Sequence, residues 1–148
     1  MKVLIDTNVA LNILLKQPNF FPGSKKVFDL AEIGVFAAFI SASAVTDIYY
    51  IASKKLGKKV ARENIKQHLV PVFKPAAVTD SHIYQALDLD WDDFEDSVQY
   101  VVGESLSADY IITRNNQDFS SSPIPALTPE QFLQVITKDD EKNESHSL

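Results

Sequence analysis

The sequence predicts an α/β fold built on a mostly parallel sheet. Three observations predict it. Short apolar runs at residues 2–5, 35–40 and 109–113 alternate with segments of helical period, the pattern of strands joined by crossover helices. Two of these runs end in polar clusters, Asp6-Thr7-Asn8 and Thr113-Arg114-Asn115, as strands do where an open sheet binds its ligands. The chain has 148 residues, 45% of them hydrophobic, with neither an internal repeat nor a linker, so one domain is expected.

The elements follow in order. After the first strand, a helix over 9–15 is stopped by Pro18. Residues 24–33 read as a second helix, with Val27, Leu30 and Ala31 on its apolar face and Gly34 as its stop. The run 35–40 is short and rich in aromatic and β-branched residues, hence a buried strand. Ser43 is placed to cap the next helix, whose Val45, Ile48, Tyr49, Ala52 and Leu56 keep helical spacing up to Gly57. A helix over 58–69 ends before Pro71, and 70–78 holds a weak strand broken by Pro71 and Pro75. Helices are expected over 79–87 and from Asp92 or Asp93 to about Leu106, then the strand 109–113. Thr128-Pro129-Glu130-Gln131 combines an N-cap, a proline at the first helical position and a capping-box glutamine. That helix is expected to end near Ile136, giving a domain over 1–137 and a disordered polar tail over 138–148.

Composition excludes several function classes. Lys and Arg number 14 against 20 Asp and Glu, a net charge of −6, which argues against coating nucleic acid by bulk charge. Cysteine is absent, so disulfides, thiolate zinc sites and cysteine nucleophiles are excluded, and a reducing compartment fits. Asp6 comes too early for a signal peptide. The longest charge-free stretch, 33–46, falls short of the about 20 residues that span a membrane. A cytoplasmic protein with no membrane association is expected.

The acids carry the chemistry. Asp6 follows the first strand, Asp118 follows the strand 109–113, and Asp47 sits early in the helix after the second strand. All three belong to one edge of a parallel sheet. A further cluster, Asp88, Asp90, Asp92, Asp93, Glu95 and Asp96, leads into the last helix before that strand. Two carboxylates 4 Å apart repel by about 4 kcal/mol at an effective dielectric of about 20. Several converging cannot all stay ionised without a cation or basic side chains. Apart from Lys2 at the start of the strand, no lysine lies near Asp6 in sequence, and His68, His82 and His146 lack ligand spacing. A hard divalent ion, Mg²⁺ or Mn²⁺, is therefore expected rather than zinc. Taken singly, each acid also has a structural reading: Asp6 as a helix cap, Asp47 as a first-turn carboxylate, and Asp96 as a solvated acid opposite Phe94, Val98, Val101, Val102 and Ser105. Gly103, in mid-helix on the side of Asp96, hints at close backbone approach there. Basic groups concentrate between Lys54 and Lys66, where Lys58, Arg62 and Lys66 are four apart and form a stripe suited to phosphates.

In combination these segments resemble the PIN-domain ribonucleases, in particular the bacterial VapC-toxin-like subgroup. The resemblance runs through Leu4-Ile5-Asp6-Thr7-Asn8-Val9, then Ile40 to Tyr50, then Asp93-Phe94-Glu95-Asp96, Ala108 to Asn115, Asp118-Phe119 and Leu127-Thr128-Pro129-Glu130. Its specific part is Asp-Phe-Glu-Asp followed by Thr-Arg-Asn-x-x-Asp-Phe. The resemblance implies a three-layer α/β/α fold with four to five strands. It implies a Mg²⁺- or Mn²⁺-dependent ribonuclease whose acids Asp6, Asp96 and Asp118 bind metal, leaving a 5′-phosphate and a 3′-hydroxyl. Asp47 matches a position the family commonly fills with glutamate, one methylene longer, and completes the shell; Glu95 is the second candidate beside Asp96. Asn8, Thr113 and Asn115 match polar strand-end positions that support the site or orient water and phosphate, and Arg114 is a candidate backbone contact. Asn12 stands where related chains often carry an acid. An RNA substrate, an antitoxin partner and a homodimer are implied as partners.

Two rival readings use the same residues. Haloacid-dehalogenase-type phosphatases need Asp-x-Asp, where this chain has Asp6 and Asn8, and a receiver domain needs an acidic pair and a late lysine that are lacking. The other rival is a PIN-like module that binds RNA or protein without cutting, separable from an enzyme by metal titration.

Overall fold

A computed structural model describes residues 1–146, with side chains described through residue 142. Five strands form one sheet: β1 (Lys2–Ile5), β2 (Ala37–Ser41), β3 (Phe73–Ala76), β4 (Tyr110–Ile112) and β5 (Ala126–Leu127). Their order is β3-β2-β1-β4-β5 and every pairing is parallel. The helices are α1 (Thr7–Leu14), α2 (Phe21–Glu32), α3 (Ala42–Leu56), α4 (Lys58–Asn64), α5 (Asp80–Leu87), α6 (Phe94–Ser105) and α7 (Pro129–His146). A π-helical turn, Ile65–Leu69, extends α4, and a 3₁₀ turn, Asn116–Phe119, follows β4. Among the described residues no helix is long and apolar enough to cross a membrane.

Strand alternation builds two cores. Val3, Ile5 and Ile112 point to one face, where Val9, Phe28, Ile48, Phe73 and Phe132 gather from α1, α2, α3, β3 and α7. Leu4 and Ile111 point to the other, against Ala86, Val98, Val101 and Val102 of α5 and α6. The result is the expected α/β/α sandwich. Pro75 is tolerated because β3 is an edge strand, with one side free of ladder bonds.

Local chemistry explains where expectation and structure differ. Ser41, the last residue of β2, caps α3 through its Oγ to the Ala44 amide, so the cap is Ser41 rather than Ser43. Helix α2 begins at Phe21 with Pro22 in its first turn, where a missing amide hydrogen is harmless. The Thr128–Gln131 capping box forms as expected. Helix α7, however, continues past Ile136 to His146, because Lys and Glu are good helix formers that extend a helix already anchored by buried Phe132 and Ile136. Residues 138–146 are thus helical rather than a disordered tail, and residues 147 and 148 lie outside the described residues.

Helix α6 also buries a different face from the one expected. The buried run of α6 is Ser97 to Gly103, and Phe94, expected on the apolar face, is 45% exposed. A side chain at Gly103 would press on the Ile124 side chain (3.3 Å) and meet Leu4 at ordinary contact distance (3.6 Å), so the glycine gives room to the side chain of Ile124, just before β5, rather than to a neighbouring backbone. Asp96, one side of the same surface, is carried toward the sheet edge instead of away from it.

Candidate active site

The sheet changes direction of winding between β1 and β4: the chain adds β2 and β3 on one side of β1 and β4 and β5 on the other. Such a switch point opens a crevice at the carboxyl ends of the two strands. Asp6 leaves β1 there, and its amide donates to the Ile112 carbonyl (2.9 Å), which locks the two strand ends together.

Asp6 is the centre of the crevice and is 5% exposed. Its Oδ1 accepts from the Thr7 amide (2.7 Å) and from Gln99 Nε2 (2.8 Å). Its Oδ2 accepts from Thr113 Oγ1 (2.7 Å) and Asn8 Nδ2 (3.3 Å). Asp6 therefore caps α1 and occupies the site at once; the two readings of this residue were never exclusive. Thr113 is fully buried and also accepts from the Asn115 amide (3.0 Å), so it aligns Asp6 and the following turn and has no surface left for a phosphate. Asn8 bridges the strand ends, donating to Asp6 and accepting from the Arg114 amide (3.2 Å).

The other acids converge around it. A cleft of about 390 Å³ is lined by Asp6, Asp47, Asp93, Glu95, Asp96 and Asp118, together with Asn8, Gln99 and Asn115. Among the described residues, no lysine, arginine or histidine lines it. Asp93 turns its carboxylate back to cap α6 through the Asp96 amide (3.1 Å), which delivers Glu95 and Asp96 in the first turn of that helix. Asp118 rides on the 3₁₀ turn, held down by Phe119, which is buried edge-on to Trp91.

The crowding is visible in the proton affinities. Desolvation, then the charges of Asp93, Asp6, Asp118 and Glu95, push the Asp96 carboxyl up to about 7. Desolvation and the neighbouring Asp47, with Asp6 and Asp93 behind it, push Glu95 up to about 7 as well. Glu95 thus belongs with Asp47, and Asp96 with Asp6, Asp93 and Asp118. Acids perturbed this far at neutral pH hold protons unless a cation replaces them. Among the described residues, no three acids or histidines stand close enough together to enclose an ion as placed. The donor set nonetheless fits a hard cation: it is all oxygen, lacks any internal counter-charge, and includes Gln99 Oε1, buried beside Asp6 without a hydrogen-bond partner.

The PIN domain family model matches residues 2–117. This chain belongs to the PIN domain family. It is 27% identical over 138 residues to Ribonuclease VapC1 of Aquifex aeolicus, covering 90% of this chain and 94% of that protein. Its fold is similar to FitAcB from Neisseria gonorrhoeae (TM-score 0.66, 18% identity, 86% of this chain and 97% of that one). It is equally similar to VapBC2 from Rickettsia felis bound to a promoter DNA fragment (0.65, 16%, 86% and 97%). The same holds for the sarcin–ricin-loop-cleaving toxin VapC20 of Mycobacterium tuberculosis (0.64, 15%, 82% and 95%).

Within this PIN domain the residues singled out from sequence separate cleanly. Asp6, Asp47, Asp96, Asp118, Asn8 and Asn115 line the cleft, and Asp96 is no solvated surface acid. Arg114 does not face it. Its guanidinium donates to Asn12 Oδ1 (3.1 Å), the Phe20 carbonyl (2.9 Å), Ser24 Oγ (3.0 Å) and the Glu130 carboxylate, and it stacks 4.9 Å from the Phe20 ring. Arg114 is a structural clasp joining α1, α2 and α7, which corrects its reading as a substrate contact. Lys58, Arg62 and Lys66 are exposed on α4 and its π-helical extension, with Arg62 5.7 Å over Tyr49, and none of them lines the cleft. Gln99 was missed: a glutamine among Val98, Tyr100 and Val101 is a polar interruption of an apolar run, and that interruption was its only signal.

Proposed function

We propose that this chain is a divalent-metal-dependent ribonuclease of the VapC kind, hydrolysing RNA phosphodiesters as the toxin of a toxin–antitoxin pair. The observation that carries the proposal is the strand-end cleft, where six acids meet with no basic side chain among the described residues, in a PIN domain whose relatives include a ribonuclease. Asp6, Asp96 and Asp118 would hold Mg²⁺ or Mn²⁺, with Asp47 completing the shell. A bound ion of this kind lowers the pKa of water and offsets charge on the phosphate oxygens during in-line attack. The protein's part is orientation: Gln99, Thr113, Asn8 and the Thr7 amide fix both oxygens of Asp6 before anything binds. Glu95 lines the cleft beside Asp47 and would be the second candidate beside Asp96 for holding the ion. Asn115 lines the cleft where a water or phosphate oxygen is oriented. The antitoxin is expected to cover this acidic cleft with a basic side chain, and the protein to act as a homodimer in the cytoplasm.

The experiment is a Mn²⁺ titration by calorimetry alongside cleavage of single-stranded RNA. Saturable Mn²⁺ binding, cleavage abolished by EDTA, and loss of at least about 100-fold in cleavage by Asp96→Asn are expected, a ligand being worth no less than the partners that support it. RNA binding without metal and without cleavage would instead identify a non-cutting PIN module.

A further inference from the structure

The cleft has one wall that is neither acidic nor polar. On α3, Tyr50 and Ile51 line it beside Asp47 and are left 61% and 39% exposed. Asp47, Tyr50, Ile51 and Lys54 are spaced i, i+3, i+4 and i+7, so they form one stripe of the helix surface. Along the axis, Tyr50 lies about 4.5 Å and Lys54 about 10 Å beyond Asp47, at 1.5 Å per residue. The neighbouring Tyr49 does the packing, against the core and under Arg62, so Tyr50 is not needed there. Lys54 Nζ sits 4.1 Å from the Tyr50 ring centroid, which keeps a cation at the lip of a cleft that otherwise repels polyanions. Lys55, Lys58 and Lys59 continue the positive surface beyond it.

We propose that Tyr50, Ile51 and Lys54 form a stacking subsite for single-stranded RNA, with a nucleobase adjoining the scissile phosphate on Tyr50 and the next phosphate on Lys54. The subsite rests on the ribonuclease reading and extends it to strand type. An exposed aromatic flanked by a cation is how single strands are held without sequence preference, since every base has a π-face. A duplex keeps its bases stacked on one another and cannot offer one to Tyr50. The basic stripe expected from sequence thereby connects to the acids through Lys54 rather than directly.

The test measures binding of a fluorescent single-stranded oligoribonucleotide carrying 2-aminopurine, with Ca²⁺ present, to wild type, Tyr50→Ala, Tyr50→Phe and Lys54→Gln. All are exposed positions, and circular dichroism verifies folding. Tyr50→Ala is expected to weaken binding roughly 5- to 150-fold, the range of one base stack, and to abolish 2-aminopurine quenching that Tyr50→Phe retains. Lys54→Gln should lower the salt slope of binding by about 0.7, the value for one phosphate on a single strand. Equal affinity and equal quenching in wild type and Tyr50→Ala overturn the subsite, whatever else touches the stripe, a protein partner included. The ribonuclease reading fails separately, if wild type binds the strand with quenching yet never cleaves it with Mn²⁺.

Discussion

Thr113 and Arg114 are consecutive residues at one strand end, yet they enter opposite kinds of surroundings. Thr113 turns to Asp6, at a cleft where acids accumulate and, among the described residues, no counter-charge meets them and Gln99 Oε1 has no partner. Arg114 turns the other way, into a pocket where its donors meet Asn12, Phe20, Ser24 and Glu130, and its face meets Phe20. One charge is answered from within the fold; the other group of charges is not. A closed polar network stabilises a structure, whereas an open one with unanswered charge needs something from outside. The difference distinguishes clasp from site more sharply than sequence position does, since both sit in the same Thr-Arg-Asn.

The largest way to break the comparison is to open the clasp. Arg114→Met leaves Ser24 Oγ without its donor and Glu130 without its cation, and removes one of the two donors that Asn12 Oδ1 and the Phe20 carbonyl each have, so it should destabilise the fold by about 3 kcal/mol. For a chain of this size that is a fall in Tm of roughly 6–12 °C, read by calorimetry. If Arg114 is only a clasp, RNA affinity at a temperature where the variant is folded stays at the wild-type value. A variant that keeps its Tm but loses RNA affinity would reverse the assignment.

A smaller effect sharpens the other half. Gln99→Leu removes the Nε2 donor from Asp6 and the unpartnered Oε1 together, at nearly the same side-chain volume. As a positioning residue behind a metal-binding acid, Gln99 should be worth about 10- to 100-fold in Mn²⁺ affinity, measured by calorimetry, with little change in Tm. Unchanged Mn²⁺ affinity would make Gln99 a packing residue only.

The two regions also differ in how much of them sequence reveals. Parallel strands, their order of polar ends and most helix starts follow from runs, caps and prolines, because those signals are local. Asp6, Asp47, Asp96 and Asp118 were legible as a set because topology sends the ends of β1, β2 and β4 to one edge, and the PIN resemblance supplied α6. What stayed hidden depends on which way a side chain turns. Asp96 looked solvated because it lies opposite a face that Phe94 was expected to bury, while burial actually runs from Ser97 to Gly103. Arg114 looked free because its partners, Asn12, Ser24 and Glu130, are distant in sequence. Thr113 sits in the expected place but spends its hydroxyl on Asp6 and the Asn115 amide.

The smallest expected effect is a pH dependence of opposite sign to the usual one. Carboxylates satisfied in the folded state have depressed pKa values and add stability as pH rises. Asp96 and Glu95 have the reverse: their folded values, about 7, lie above the ordinary 3.8 and 4.5. The folded protein then binds more protons than the unfolded chain between about pH 4 and 7, so this pair's contribution is complete below that window and is lost as pH rises through it. The metal-free protein should melt at a lower temperature near pH 8 than near pH 5, by a modest amount because water screens both partly exposed groups. Asp96→Asn removes one of the two titrations and should flatten the slope, and Mg²⁺ should flatten it in wild type by answering the same charges from outside. A metal-free Tm that climbs across this window would mean that the acids of the cleft are already neutralised from within, like Arg114 and Glu130, and the contrast between the two regions would disappear.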